Sequence, residues 1–400
     1  MTRSAKGAET VTRSIAEHLI GTVLDRGLRA GSLTLVGRDG REQVFEGDAP
    51  GPSAVVELRR PAASRRTIAG GALGMAEAYL DGDWDTPDLD AVLDLGVANL
   101  DPEPTTTPTL LTPVSRAWHR LRDNTLDGSK RNIAYHYDLG NDFYSLWLDQ
   151  TMAYSSALYA SSSDELTEAQ VSKWDRLLGE LDLSAEDHLL EIGCGWGGFA
   201  IHAATTTGCR VTGVTLSEEQ HAYATAAVAE AGLSDRIEIR LQDYRHVPET
   251  YDAIASIEMF EAVGERWWPV FFGRVRELLK PGGAAALQVI TIDERRFEDY
   301  RTHPDFIQRY IFPGGMLPSP ERLTAVAETQ GLDAGAPHFF ADSYARTLSE
   351  WSGRFEAALD SVKALGFDER FVRMWRYYLS YCRAGFAGGT VDVVQVRLQG

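Results

Sequence analysis

The stretch L-L-E-I-G-C-G-W-G-G-F at 189–199 runs an apolar strand straight into a glycine-rich turn. Glycines at 193, 195 and 198 resemble G-x-G-x-x-G, where glycine permits positive φ, close approach of a ligand to bare backbone and tight strand-to-helix packing. By itself the spacing suits either a nucleotide-like cofactor site or a structural turn. The downstream sequence separates the cofactor classes. A dinucleotide-binding unit expects an acidic residue about 20 residues further on, at the end of the second strand, to hold a ribose hydroxyl. That strand reads C-R-V-T-G-V-T-L-S at 209–217 and offers Thr215 instead.

The acidic residue stands before the glycines, as Glu191. In this the chain resembles class I S-adenosylmethionine (SAM) methyltransferases. Later segments agree with that resemblance: R-I-E-I-R-L-Q-D-Y at 236–244, Y-D-A-I-A-S-I-E-M-F-E at 251–261 and L-L-K-P-G-G-A-A-A-L-Q-V at 278–289. The L-K-P-G-G run looks like the turn preceding the fifth strand of that fold. The expectation is an α/β, Rossmann-like domain with a seven-stranded sheet, joined to a smaller N-terminal α+β domain.

A chain of 400 residues exceeds the usual single-domain range. Its 44% hydrophobic and 24% charged residues describe an ordinary globular composition with apolar mass for a sizeable core. A net charge of −19 argues against nucleic acid as the main partner, because phosphate binding needs a basic face. It leaves room for a membrane partner, since local basic patches act over about 10 Å at moderate salt. Cys194, Cys209 and Cys382 are too few and too scattered for a disulfide framework or a zinc site, so no metal is expected and the compartment reads as reducing cytoplasm. The N-terminus lacks an apolar signal core, and no apolar run approaches the roughly 18 residues of a membrane span. Contact with lipid, at the inner membrane face, is expected to be peripheral.

Residues 1–100 read as the small α+β domain. Ile15, Leu19, Ile20, Val23 and Leu24 recur at helical spacing over 14–28, and 32–47 alternates around Asp39-Gly40, a strong hairpin signal. A strand at 54–58 precedes a helix over 68–84. This unit suits a structural, lipid-binding or dimerisation role, the last implying a homodimer. The linker falls at 101–124. It opens with D-P-E-P-T-T-T-P-T-L-L-T-P at 101–113, whose four prolines and five threonines cannot sustain a helix or central strand. It closes with V-S-R-A-W-H-R-L-R at 114–122, an amphipathic basic helix suited to an anionic membrane or to packing on its neighbour. The catalytic domain spans 125–400.

Taken in order, these segments resemble cyclopropane-fatty-acyl-phospholipid synthases and their mycolic-acid-modifying relatives. The residues carrying the likeness are Y-H-Y-D-L-G-N-D-F-Y-S-L-W-L-D at 135–149, M-A-Y-S-S-A-L-Y at 152–159, G-C-G-W-G-G at 193–198, G-V-T-L-S-E-E-Q at 213–220, L-Q-D-Y-R at 241–245, M-F-E-A-V-G at 259–264, Q-R-Y-I-F-P-G-G-M-L-P-S at 308–319 and W-R-Y-Y-L-S-Y-C at 375–382. The likeness is strong over 125–398 and looser before it, through Y-L-D-G-D-W at 79–84. It implies a SAM site in which Gly193 and Gly195 let backbone approach the methionine portion and Tyr154 and Ser155 offer hydroxyls to its carboxylate. Thr215, Leu216 and Gln220 hold the ribose side, Gln220 replacing the usual acidic residue. Gln242, Asp243 and Tyr244 meet the adenine.

The resemblance further implies a substrate that is a cis double bond in an acyl chain of a phospholipid, attacking the SAM methyl group to leave a carbocation. Trp267, Trp268, Tyr310, Phe312, Tyr377, Tyr378 and Tyr381 are candidates to line an apolar pocket whose ring faces stabilise a cation. Closure to a cyclopropane requires loss of a proton from the delivered methyl, hence a base. In the family this base is a bound bicarbonate held by a glutamate, a tyrosine, a histidine, a cysteine and a backbone group. Carried across, the glutamate is Glu261, the tyrosine Tyr344 and the backbone position Ile290. Two positions depart: Ser156 replaces the cysteine and Gln288 the histidine, which keeps a donor but cannot carry charge. Ala262 also stands where the best-known cyclopropane synthases have histidine. These departures admit another fate, a hydride shift leading to a methylene or methyl-branched acid. A methyltransferase for a small soluble nucleophile, or a lipid-binding protein on an inactive methyltransferase fold, are the competing readings; intact G-C-G-W-G-G, Tyr154-Ser155 and Glu261 argue against the last.

Overall fold

The computed structural model describes residues 27–100 and 139–400, which form two compact units. The expected helix over 14–28, the linker, the basic helix and the first residues of the 135–149 block lie outside the described residues. The first unit combines the N-terminal region with Lys363–Gly388, and the second holds Val362 and what precedes it together with Gly389–Gly400. The chain therefore returns to the N-terminal unit late, where a single uninterrupted catalytic domain over 125–400 was expected.

In the first unit β1 (Ala30–Val36) and β2 (Glu42–Glu46) form the expected hairpin, with Gly40 at φ 77° and the Gly37 N–H bonded to the Arg41 carbonyl at 2.7 Å. Next, β3 (Ala49–Leu58) pairs parallel to β1 on its other edge. The chain reaches that edge through Gly47, where a Cβ would lie 2.5 Å from the Ala30 nitrogen, too close for any side chain. Leu33, Leu35, Ala54, Val56 and Leu58 alternate onto one buried face, as a half-covered sheet requires. Helix α1 (Ala62–Leu80) begins earlier than the sequence suggests and is broken at Gly71, φ 56° and ψ −138°. It leads to β4 (Trp84–Asp85) and α2 (Leu89–Ala98). The returning helix Glu369–Ala387 buries Val372, Trp375, Tyr378 and Leu379. Its Arg373 guanidinium lies 3.9 Å from the Tyr79 ring centre and donates to the Tyr79 and Trp84 carbonyls, while Arg383 pairs with Asp94 at 2.5 Å.

The second unit opens with a short helix α3 (Asn141–Ser145) and α4 (Leu166–Gly179), then a sheet of β5 (His188–Ile192), β6 (Arg210–Thr215), β7 (Ile237–Leu241), β8 (Tyr251–Ile257), β9 (Leu279–Ile292), β10 (Asp333–Ala334), β11 (His338–Phe339) and β12 (Val391–Gln399). Spatial order is β10-β12-β9-β8-β5-β6-β7, with β11 pairing off β12. Strands β5 to β9 run parallel; β12 enters antiparallel to β9. Parallel strands covered on both faces read as continuous apolar runs, and Leu189, Leu190, Ile254, Ala285 and Leu287 are all fully buried. One face packs on Phe271, Phe272 and Val275 of α5 (Trp268–Leu278), the other on Trp174 and Leu177 of α4 and Phe199 and Ala203 of the helix Gly198–Thr207. This is the α/β sheet that the sequence predicts. One local detail differs: K-P-G-G is no separate turn but a bulge inside β9, where pairing with β8 shifts between Tyr251–Leu279 and Ala253–Ala284.

Candidate active site

The switch in strand order between β5 and β8 opens a crevice at the carboxyl ends of the strands, where ligands of such sheets bind. The glycine turn closes β5 there, and its glycines divide the work. At Gly193, φ 84°, the N–H bonds the Val214 carbonyl at 3.0 Å, and an added Cβ would meet Met259 Cγ at 2.6 Å. At Gly198 a Cβ would meet the Thr151 carbonyl at 2.8 Å and Trp174 at 2.9 Å. Gly195, φ 51°, faces open space. Gly195 thus leaves its face open, whereas Gly193 is also held close against Met259.

Residues 139–159 explain why two distant motifs travel together. Asn141 accepts a hydrogen bond from the Trp196 indole at 2.7 Å, and the Tyr144 ring lies 5.1 Å from that of Trp196. Tyr154 sits among rings, 5.4 Å from Tyr144, Trp147 and Trp351 and 6.4 Å from Phe312. The neighbouring Ser155 hydroxyl receives Lys173 Nζ at 2.5 Å.

At the end of β6, the Thr215 hydroxyl donates to Gln220 Oε1 at 2.9 Å, and the Ser217 hydroxyl caps the next helix by accepting the Gln220 backbone N–H at 3.2 Å. Leu216 lies half-buried between them. After β7, Asp243 is clasped by Arg245 through Nε at 2.9 Å and a second guanidinium nitrogen at 2.7 Å. Tyr244 packs on Phe271, and Gln242 Nε2 folds back to the His246 carbonyl at 2.9 Å.

Glu191 is buried with Oε2 unpartnered among the described residues, and burial pushes its carboxyl up to about 8. A neutral acid with an unused polar atom beside an open glycine suits an amino-acid-bearing nucleoside. These residues fit SAM, whose polar groups Gly195, Glu191 and Gln220 would meet.

The second cluster lies at the ends of β8 and β9. Glu261 Oε1 accepts the Ile290 N–H at 2.5 Å, and Oε2 is buried without a partner among the described residues. Burial, reinforced by a neighbouring carboxylate at Glu258, pushes Glu261 up to about 8. Ser156, Gln288 and Tyr344 do come together, but not around Glu261. The Ser156 N–H at 2.8 Å and Gln288 Nε2 at 2.7 Å both donate to Glu258 Oε1, and the Tyr344 hydroxyl donates to Glu258 Oε2 at 2.6 Å. The Ser156 hydroxyl itself turns away to the Ala157 carbonyl.

Glu258 escaped the sequence reading, although S-I-E-M-F-E places two glutamates three apart after an apolar strand. Lys173 and Gln395 were missed as well. Lys173 and Gln170 share the face of α4 that buries Leu166, Ala169 and Leu177, and polar groups on an apolar stripe are a legible signal. Burial depresses Lys173 to about 8 against the pull of Glu258. Gln395 on β12 donates to Gln288 Oε1 at 2.9 Å and so sets which end of Gln288 faces Glu258. The segment carrying Y-I-F-P-G-G-M-L-P is tied to the site through the Met316 N–H on the Glu261 carbonyl at 2.8 Å, following a π-helical turn at Ile307–Ile311. Of the aromatic candidates, Phe312 meets Tyr154, Trp268 stacks on Phe260 within the core, and Tyr377, Tyr378 and Tyr381 belong to the first unit.

Sheet order, glycine turn and the polar residues around it define a SAM-dependent methyltransferase. The chain belongs to the mycolic acid cyclopropane synthetase family, whose model matches residues 125–396. It is 40% identical over 370 residues to a tuberculostearic acid methyltransferase of Mycobacterium tuberculosis, covering 87% of this chain and 83% of that one. It is 36% identical over 368 residues to the cyclopropane-fatty-acyl-phospholipid synthase of Escherichia coli K12, 88% of each chain. A solved mycolic acid cyclopropane synthase complexed with SAH and CTAB superposes with a TM-score of 0.64 at 31% identity, over 68% of this chain and 98% of that one.

Proposed function

We propose that the protein adds a one-carbon unit from SAM to the cis double bond of an unsaturated fatty-acyl chain of a phospholipid, with a cyclopropane as product. The observation that carries this reading is the juxtaposition of Glu258, Glu261 and Tyr344 with the Tyr154 ring cluster, joined through the Trp351 ring 6.2 Å from Tyr344, a buried site with fixed acceptors. When bound, SAM supplies an electrophilic methyl group, which the double bond attacks to leave a cation on chain carbon. Tyr154, Trp351 and Phe312 offer ring faces to that cation, whose attraction to aromatic quadrupoles grows as water is excluded. Burial pushes the Glu261 carboxyl up to about 8, which disfavours a second negative charge there. The relatives named for fatty-acyl-phospholipid and tuberculostearic acid substrates support the acyl chain. The acyl substrate in turn implies peripheral contact with a lipid surface, at the inner membrane face; among the described residues no helix is long and apolar enough to cross a membrane.

Bicarbonate fits poorly as the base. Ser156, Gln288 and Tyr344 already donate to Glu258, and the Ile290 N–H to Glu261.

A second product is supported by two observations: Gln288 and Ser156 stand where the resemblance expects histidine and cysteine, and the relative sharing 40% identity is named a methyltransferase rather than a cyclopropane synthase. In that outcome a hydride moves from the methyl-bearing carbon to the cation before the methyl loses its proton, leaving an exocyclic methylene. Expression in a host rich in monounsaturated phospholipids, followed by mass spectrometry and proton NMR of the fatty acids, tests both. Gain of one CH2 with upfield ring protons gives the cyclopropane, and the same gain with vinylidene protons the methylene. An unchanged lipid profile from active protein refutes acyl modification and favours a soluble nucleophile.

A further inference from the structure

We propose that the carboxylate of Glu258 is a built-in replacement for an external anion, occupying the anion position of this site and accepting the proton lost by the transferred methyl group. The inference rests on the acyl-modifying function proposed above. Three donors from three separate parts of the chain converge on it: the Ser156 N–H, Gln288 Nε2 and the Tyr344 hydroxyl, at 2.8, 2.7 and 2.6 Å. These are three of the five positions that the family resemblance assigns to a bound bicarbonate. A fourth, the Ile290 N–H, is taken by Glu261. The donors that would hold a free anion are thus satisfied by the chain itself.

The backbone supports the same assignment. Glu258 has φ 50°, one of three non-glycine residues at positive φ among the described residues. Such strain in a side-chain-bearing residue persists where the surroundings over-determine it, and it clusters at functional positions. Here the Glu258 N–H is anchored to the Gln288 carbonyl at 2.8 Å, and the turn directs the carboxylate back into the donors. A carboxylate offers about four acceptor positions. Among the described residues Oε1 uses two and Oε2 one, which leaves a lone pair on Oε2 for a proton. Burial, the larger effect, pushes the Glu258 carboxyl up while Lys173 and the three donors pull it down, which suits a group that takes up a proton during turnover.

The step balances without a further reagent. A C–H bond of the delivered methyl breaks, its proton passes to Glu258 Oε2, and its electron pair closes the ring bond to the cationic carbon. After a hydride shift the same pair would instead form the exocyclic double bond. The proton leaves to water when product is released.

Three preparations test this: the wild type, Glu258→Gln and Glu258→Gly. Glycine suits the positive φ and empties the cradle. Each is assayed with monounsaturated phospholipid vesicles in carbon-dioxide-free buffer with and without added bicarbonate, alongside calorimetric SAH binding and carbon NMR of isotopically labelled bicarbonate. The wild type is expected to turn over equally in both buffers and to bind no bicarbonate. Glu258→Gln should lose about a hundred-fold or more in kcat, the range of a positioned base, with SAH affinity unchanged. Glu258→Gly should bind bicarbonate and regain turnover only when it is added. Wild-type turnover that depends on bicarbonate, or near-normal turnover by Glu258→Gln, would overturn the proposal. If the wild type modifies no acyl chain, the parent function falls and the base role with it; labelled-bicarbonate binding, which needs no acyl substrate, then decides the occupancy of the cradle independently.

Discussion

Two glutamates three residues apart take opposite roles because their surroundings differ. Glu258 accepts three hydrogen bonds and feels Lys173; Glu261 accepts one and leaves Oε2 bare. Burial raises both carboxyls; at Glu258 Lys173 and three donors work against that rise, whereas at Glu261 the neighbouring Glu258 adds to it. Glu261 is therefore expected to act as a neutral group next to the reacting carbon. Glu261→Gln keeps that neutrality but removes the acid proton and one acceptor, and it is expected to abolish turnover while SAH affinity by calorimetry remains. The same result is expected of Tyr344→Phe, which strips Glu258 Oε2 of its donor. Normal product formation by both variants would remove these residues from the chemistry.

At the scale of elements, the β5 turn holds Gly193 in tight packing and leaves Gly195 beside open space. Gly193→Ala places a Cβ 2.6 Å from Met259 Cγ at φ 84° and is expected to destabilise the second unit by about 1–3 kcal/mol in urea denaturation. Gly195→Ala puts its Cβ into open space and should cost about 1 kcal/mol or so for the left-handed backbone, but weaken SAH binding at least ten-fold. Equal stability losses with intact binding in both would show that Gly195 is another packing glycine. The turn itself was legible because glycine spacing after an apolar strand is a local pattern. The bulge in β9 was not, since Pro281-Gly282 reads as a turn unless the β8 register is known. The helix over 62–80 starts ahead of the expected 68–84, and its break at Gly71 lies inside the expected span.

For the whole molecule, buried acids set the pH dependence of stability. Glu191 and Glu261 hold their protons to about 8 when folded, against about 4.3 in an unfolded chain. Between those values the folded state binds more protons than the unfolded one, so stability falls as pH rises. Glu258 moves in the same direction. Lys173, depressed to about 8, opposes this only above that pH. At the acid end Asp293 and Glu294, held low by hydrogen bonds from Arg295 and Arg322, lose their contribution as they protonate. Apoprotein Tm should therefore peak near pH 5 and decline toward pH 8, with Glu191→Gln flattening the decline. A Tm that rises steadily over that range would contradict the buried, protonated state of these acids.

The sequence by itself determined the parallel sheet, the glycine turn with Glu191 before it, the hairpin at Asp39-Gly40 and the order of motifs, because strand periodicity and turn chemistry act over a few residues. Tertiary structure alone decided that Lys363–Gly388 returns to the N-terminal unit, and that Ser156, Lys173, Glu258, Gln288, Tyr344 and Gln395 form one connected polar group. Those six residues come from a loop, two helices, two strands and the turn after a third strand, spread over some 240 positions of the chain. No local pattern encodes a donor's partner at that separation: the Tyr344 hydroxyl finds Glu258 rather than Glu261 because β8, β9 and the helix Ala341–Ala357 fix where each side chain arrives.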